Sequence, residues 1–252
     1  MRSRTLAPAA LAAIGSIAAG APAGAQTPAP PSPAANPPIT SPPELVLSDE
    51  LTTTRWSNAV DRARVAAAPT HQARRVGRLR LMTEDGFPEV YLLLAAHRDD
   101  QGRIWVRVRL PQRPNGATGW VRRSVLGPFH VVHTRLVVDR TRLRVTLYDR
   151  GRRRFRAPVG IGAPGTPTPT GAYWIREKFH VTGAPLYGTR AMGTAAYSAL
   201  SDWPGGGVVG LHGTSQPGLI PGRPSHGCVR LRNADIERLY AMTPIGTPVR
   251  IR

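Results

Sequence analysis

The stretch Val208-Val209-Gly210-Leu211-His212-Gly213-Thr214 leads through a Gly- and Pro-rich loop to Ser225-His226-Gly227-Cys228-Val229-Arg230. Cys228 is the single cysteine among 252 residues, sixteen positions after His212 and two after His226. One thiol forms no disulfide within its own chain, so its interest is chemical. An ordinary thiol, with a pKa of about 8.5, is mostly protonated at neutral pH. A neighbouring imidazole can take that proton and leave a nucleophile.

Two bases compete for the role. If Ser225 to Cys228 is extended, His226 and Cys228 point to the same face. His212 comes beside Cys228 if Val208–His212 pairs with the cysteine segment. Gly227 removes a side chain next to the sulfur, which lets a carbonyl approach and frees backbone N–H groups for an oxyanion hole. Arg230 shares the cysteine's face in an extended segment and suits a carboxylate bidentately. In so arginine-rich a chain it equally reads as a surface residue. Ser225 either hydrogen-bonds within the motif or caps a turn. Tyr187, Trp203 and Pro204 to Gly207 read equally as cleft wall or as core and turn. Other readings of the Cys/His set are an inert buried thiol and a zinc site. The latter lacks an evident fourth ligand and finger-like spacing, so no metal is assigned.

Working outward, the chain reads as β. Leu143, Val145 and Leu147 alternate with Arg144 and Thr146, and Asp149-Arg150-Gly151 turns a hairpin into Phe155–Ile161. Gly162 to Gly171, with Thr166-Pro167-Thr168-Pro169-Thr170 inside it, suits neither a helix nor a central strand. Asn233 is an N-cap candidate for a helix with Ile236, Leu239 and Tyr240 on one face, stopped by Pro244. Pro248–Ile251 reads as a closing strand. Earlier, Val90–Leu94 is an apolar run, and Ile104, Val106, Val108 and Leu110 share one face. Asp99–Gly102 and Pro114-Asn115-Gly116 are turns. Residues 44–73 stay unassigned; Trp56–Val60 is compatible with the start of a short helix.

The N-terminus reads as a secretory signal. Arg2 and Arg4 precede an Ala/Leu/Ile-rich stretch to Ala19, and Ala23-Gly24-Ala25 is a cleavage site, giving a signal peptide over 1–25. The segment is too weakly apolar to span well, so no stable membrane span is expected after cleavage. Residues 26–43 are a Pro/Ala/Ser spacer. The net charge is +19, with Lys178 as the single lysine. No basic tract interleaves with aromatics, and no zinc-finger or RNP-like pattern occurs, so nucleic acid is not expected as a partner. An anionic polymer suits the charge.

His212-Gly213-Thr214, the residues up to 224, and Ser225 to Arg230 resemble the signature of the YkuD-type L,D-transpeptidases. Thr166 to Gly171 and Gly246-Thr247-Pro248-Val249 resemble that family too, over roughly residues 134–252. The Trp105 to Trp120 segment, ending in Gly-Trp-Val, resembles bacterial SH3-like domains and suggests a small barrel over 74–127. The fold class expected is thus mainly β, a small SH3-like barrel followed by a β-sandwich-like catalytic domain with one or two short helices.

The family resemblance implies that Cys228 attacks a peptidoglycan stem peptide and releases D-alanine. An acceptor amine then resolves the thioester into a 3→3 cross-link. It implies His212 as proton acceptor and donor, with His226, Gly227, Ser225 and Gly213 supporting the site and Arg230 binding substrate. It also implies no cofactor, acylation by carbapenems, and work outside the cytoplasm, in the cell wall, periplasm or extracellular space. Stem peptides, and anionic wall polymers, are the partners expected of what we take to be a monomer. The alternatives are an L,D-carboxypeptidase or wall hydrolase using the same acyl-enzyme, attachment of a protein to the wall, and a noncatalytic wall-binding protein.

Overall fold

Val90 and Leu92 are buried in one core and Tyr91 and Leu93 in another, so the apolar run at Val90 faces protein on both sides. A strand buried on both faces reads as continuous apolar sequence rather than alternation. The computed structural model describes residues 44–202 and 204–252; the expected signal peptide and spacer, and Trp203, lie outside them. The protein is mainly β, with one α-helix among the described residues.

The first sheet comprises β1 (Leu45–Val46), β2 (Thr54–Asn58), β3 (Arg64–Ala66), β4 (Arg75–Arg78), β5 (Val90–Arg98), β6 (Ile104–Arg109), β7 (Thr118–Arg122) and β8 (His130–Val132). Its order is β4-β3-β7-β6-β5-β2-β8, with β1 also on β5. The unassigned stretch 44–73 thus supplies three strands. Trp56 is in a strand, not a helix: β2 is bonded on both sides, by β5 and β8. Its indole stacks on His130 at 4.3 Å and lies so close to Gly246 that a Cβ there would meet Cδ1 at 2.1 Å.

The second sheet comprises β9 (Thr134–Asp139), β10 (Arg144–Asp149), β11 (Arg152–Pro158), β12 (Gly160–Gly162), β13 (Gly171–His180), β14 (Arg190–Tyr197), β15 (Val208–His212), β16 (Gly222–Ser225), β17 (Val229–Arg230) and β18 (Pro248–Ile251). The order is β11-β10-β9-β18-β13-β14-β15-β17-β12-β16. The first half of β13 pairs with β18 and the second half with β14, so β13 joins two halves of the sheet. Leu136, Val145 and Leu147 of one half and Met192, Val209 and Val229 of the other share a core. The hairpin between β10 and β11 turns on Arg150 and Gly151, both at positive φ, as a two-residue type I′ loop requires.

α1 (Asn233–Met242) buries Ile236 and Leu239 fully. Its N-cap is Arg232, which makes no side-chain cap bond. Asn233 is therefore the first helical residue and not the cap, because its side chain is committed to the site described below.

The two sheets meet through more than apolar contact. Trp174 Nε1 donates to Val90 O at 2.8 Å. Arg176, 1% exposed, donates from Nε to Glu89 Oε1 (2.8 Å) and from Nη2 to Glu84 Oε2 (2.9 Å). Thr83 Oγ1 donates to Glu177 Oε2 at 2.6 Å.

Candidate active site

β15 and β17 run parallel, with Leu211 opposite Val229 and His212 opposite Arg230. Parallel neighbours need a crossover, and residues 213–228 provide it. The register brings Cys228 back beside Gly210, whose N–H donates to Sγ at 3.4 Å. The distant histidine and the cysteine are thereby neighbours, and both line the same two clefts.

The turn carrying the thiol is knotted by Ser225, which is buried. Its Oγ donates to Cys228 O at 2.6 Å and accepts from Gly227 N at 3.2 Å. Gly227 sits at φ +127°, and a Cβ on it would approach Ser198 Cβ to 3.1 Å. Glycine is required there by backbone and space together. The Gly227 N–H is occupied by Ser225, so it is not the free oxyanion donor that the sequence suggests. The chain is also not extended from Ser225 to Cys228. His226 turns outward and is exposed, although it still lines the smaller cleft.

The Pro-rich loop before β13 is bonded to the same turn. Ala163 N donates to Ser225 O (2.9 Å), and Thr168 Oγ1 donates to Gly227 O (2.7 Å) while accepting from Gly162 N (2.9 Å). Thr168 is fully buried. Sequence reasoning noted this loop only through a family likeness; its physical job is to hold the motif's carbonyls.

His212 Nδ1 lies 2.6 Å from Gly213 O. A carbonyl only accepts, so Nδ1 carries the hydrogen and the neutral ring keeps its lone pair on Nε2. Burial pushes the His212 pKa down to about 4; the Gly213 carbonyl opposes this and the Arg230 charge adds to it. Burial pushes the Cys228 thiol up, against the Gly210 N–H and Arg230, which pull it down. The pair therefore rests as neutral thiol and neutral imidazole.

Arg230 lines the small cleft beside Cys228 and donates to Gln216 Oε1 at 3.4 Å. Gly213 is where three segments converge. A Cβ on it would stand 2.3 Å from Asn233 Oδ1 and 3.0 Å from Gly188 Cα. Asn233 Oδ1 accepts from Thr214 N at 3.0 Å, fixing the chain just after the histidine. The turn before Gly188 presents Tyr187, whose ring lies 4.7 Å from that of His212.

Two clefts open on the pair. The smaller, about 90 Å³, also takes in Ser198 and Val209. The larger, about 460 Å³, extends along β13 and β14 past Glu177, Phe179 and Met192. Burial pushes Glu177 up to about 7; the Thr83 hydrogen bond opposes this, and nearby Asp85 adds to it. Tyr187 and Val208 line both clefts. Sequence reasoning missed Gly210, Thr168, Ser198 and Asn233 as site residues. Thr168 carried a signal only through the family likeness of its loop, and Asn233 carried one that read as a helix cap.

Residues 133–251 match the family profile YkuD, the L,D-transpeptidase catalytic domain. The probable L,D-transpeptidase YbiS of Escherichia coli is 31% identical over 135 residues, 47% of this chain and 44% of that one. The putative L,D-transpeptidase YkuD of Bacillus subtilis is 30% identical over 124 residues, 49% of this chain and 66% of that one. The chain thus spans 44% and 66% of the length of these two curated relatives. Among solved structures, an L,D-transpeptidase from Mycobacterium smegmatis is similar at 16% identity and a TM-score of 0.41, over 78% of this chain and 99% of that one.

Proposed function

We infer from one premise, that residues 133–251 are an L,D-transpeptidase catalytic domain of the YkuD family, that this protein cross-links peptidoglycan by cysteine acyl transfer. The observation that carries the reading is the Nδ1–H bond of His212 to Gly213 O, beside a thiol reached from two clefts. Cys228 Sγ attacks the carbonyl after the third residue of a stem tetrapeptide while its proton passes to His212 Nε2. Both groups start neutral, so the thiol proton has to pass to His212 for the attack to proceed. The oxyanion is met by the Cys228 N–H, since the Gly227 N–H is engaged. His212 returns the proton to the departing D-alanine amine, leaving a thioester. An amine of a second stem attacks that thioester, gives its proton to His212, and the proton returns to Sγ as the new amide forms. Arg230, lining the cleft, supplies a guanidinium for a stem carboxylate. His226, at the cleft rim, contacts the incoming peptide. No cofactor is required by these steps.

The test is incubation of the protein with a purified disaccharide-tetrapeptide, products followed by mass spectrometry. A cross-linked dimer with loss of D-alanine is expected, and a carbapenem should add to Cys228. Tripeptide alone would make it a carboxypeptidase. Absence of any Cys228 adduct with both reagents would overturn acyl transfer altogether.

The reading includes an exported protein working at the wall, with an SH3-like part over 74–127 aiding attachment. The outer face of β9, β10 and β11 supports anionic wall polymer as a partner. Five arginines, Arg142, Arg144, Arg153, Arg156 and Arg252, converge on a trough of about 230 Å³. The single acid there, Asp139, already pairs with Arg142 (3.0 Å) and Arg252 (3.7 Å). Arg144, Arg153 and Arg156 form no ion pair among the described residues. Like charges gathered on one sheet face cost stability unless a ligand neutralises them. Wall binding of a Cys228→Ala protein should weaken steeply between low and physiological salt, and Arg153→Ala/Arg156→Ala should flatten that dependence. Salt-indifferent binding would dismiss the trough.

A further inference from the structure

The loop between β6 and β7, in the first sheet, reaches across to the second and takes hold of one wall of the nucleophile's cleft. That wall begins where β14 ends. Ser198 lines the small cleft with Cys228, and its N–H donates to Gly207 O at 2.8 Å, closing the segment from Ser198 to Gly207. Val208, the next residue, lines both clefts, and two residues on is Gly210, the hydrogen-bond donor to Sγ. The Cα of Gly227 rests against Ser198 so closely that not even a methyl group fits without a shift. A displacement of Ser198 is therefore felt by the turn that carries the thiol.

Two side chains of the first sheet fix this segment. Arg113 Nη2 donates to Ser198 O (2.9 Å), Gly206 O (3.0 Å) and Leu200 O (3.3 Å), gathering three carbonyls around one nitrogen. Asn115 uses both ends of its amide on the preceding residue: Nδ2 donates to Tyr197 O at 2.8 Å, and Oδ1 accepts from Tyr197 N at 3.0 Å. The Arg113 guanidinium also lies over the Tyr197 ring, 4.7 Å from its centroid. The Tyr197 hydroxyl in turn donates to Glu84 Oε1 at 2.5 Å. Charge-assisted bonds from a planar guanidinium are directional, so they set where the carbonyls sit as well as holding them.

We propose that Arg113 and Asn115 are positioning residues for Cys228: the first sheet sets the wall of the acyl-transfer cleft. Reach, charge and geometry all point to this loop. The carbonyls of Ser198, Leu200 and Gly206, from both ends of the segment, meet at one nitrogen. The proposal rests on acyl transfer as the function of the site, but it concerns the shape of the cleft and not the chemistry. It makes the second sheet dependent on the first for turnover on soluble substrate, whatever the first sheet does in wall attachment.

The test compares full-length protein with Arg113→Ala, Arg113→Lys, Asn115→Ala and Arg78→Ala. Each is measured for kcat and KM on the disaccharide-tetrapeptide, and separately for the rate of Cys228 alkylation by iodoacetamide, followed by intact mass. A misplacement of about 1 Å near the reacting atoms costs on the order of 10²-fold. Arg113→Ala should lower kcat by about that factor with KM little changed, and shift the alkylation rate severalfold. Arg113→Lys should recover most of both, since an ammonium offers three donors to the same carbonyls. Asn115→Ala should fall between. Arg78→Ala, from the same inter-sheet cavity but with no bond to the segment among the described residues, should match the parent.

Unchanged kcat and alkylation in Arg113→Ala would overturn the proposal. So would a loss in kcat that tracks a lower unfolding midpoint and is not rescued by lysine, since that is a structural role alone. If the parent itself fails to turn over the tetrapeptide, acyl transfer to stems is the reading that fails, and the alkylation rates still decide the positioning role.

Discussion

Strand β14 starts beside one buried polar cluster and ends in another, and the two are built on opposite rules. At its start Ala191 is the register partner of the buried His212, which stands beside the half-buried Cys228, and the charge acting on both is Arg230, which disfavours an imidazolium. At its end Tyr197 joins Arg80, Glu84, Glu89 and Arg176, where every charge has a partner. Burial of a charged group is tolerated when it is paired and hydrogen-bonded; an unpaired group gives up its charge instead. The histidine is therefore held neutral, its pKa down to about 4, whereas Glu84 is pushed down to about 2, desolvation opposing, by Arg176, Tyr197 and Arg80. One cluster withholds charge. The other joins two sheets by matching it.

The largest expected effect breaks the ionic side. Arg176→Met leaves Glu89, 0% exposed, with Arg80 Nη2 at 3.0 Å as its remaining cation. Removing one partner of a buried pair costs about 3–5 kcal/mol, while replacing both by apolar groups is often close to neutral. In urea unfolding, Arg176→Met should lose on the order of that amount, and Arg176→Met/Glu89→Leu should regain at least half of it. A single substitution costing under about 1 kcal/mol would mean the junction is not held by this pair, and the contrast with the histidine cluster would collapse.

The contrast also separates what was legible in the sequence from what was not. The cysteine–histidine cluster is written locally. His212, Gly213 and the Ser225 to Arg230 motif lie within nineteen consecutive positions, so a single strand pairing, β15 with β17, is enough to join them. The alternation of Val145 and Leu147 with Arg144 and Thr146 was equally plain. The ionic cluster joins Arg80 to Tyr197, 117 positions apart, and Glu89 to Arg176, 87 apart. Charges do not announce partners at such range in a chain with so many arginines. The double burial of β5 was hidden for a related reason, since an apolar run says that both faces are covered but not by what. Within the motif itself, the outward turn of His226 was missed because it depends on the positive φ of Gly227, and period-two reasoning assumes an extended chain. Asn233 was misread because its cap-like chemistry serves Thr214 instead of its own helix.

The smaller effect sharpens the comparison, because the two clusters should fail in different pH windows. His212 has its folded pKa depressed from 6.5 to about 4. Between those values the unfolded chain binds the proton and the folded one does not, so stability rises with pH across the window and is lost as pH falls through it. The contribution is at most about 3 kcal/mol for a group this buried. The Glu84 contribution is lost lower, as pH falls from about 4.5 towards 2. Glu177, pushed up to about 7, acts with the opposite sign between 7 and 4.5, so the plot of unfolding free energy against pH should decline in two steps in a Glu177→Gln background. His212→Gln should remove the upper step and leave the lower one, while Glu84→Gln should do the reverse. In the same Glu177→Gln background, which removes the other group of the cleft that titrates near neutrality, turnover should follow His212: activity should persist below pH 6 and fall only as pH approaches 4. An acid limb of activity near 6.5 would mean that the imidazole titrates as if solvated, and the neutral, dry site described here would be wrong.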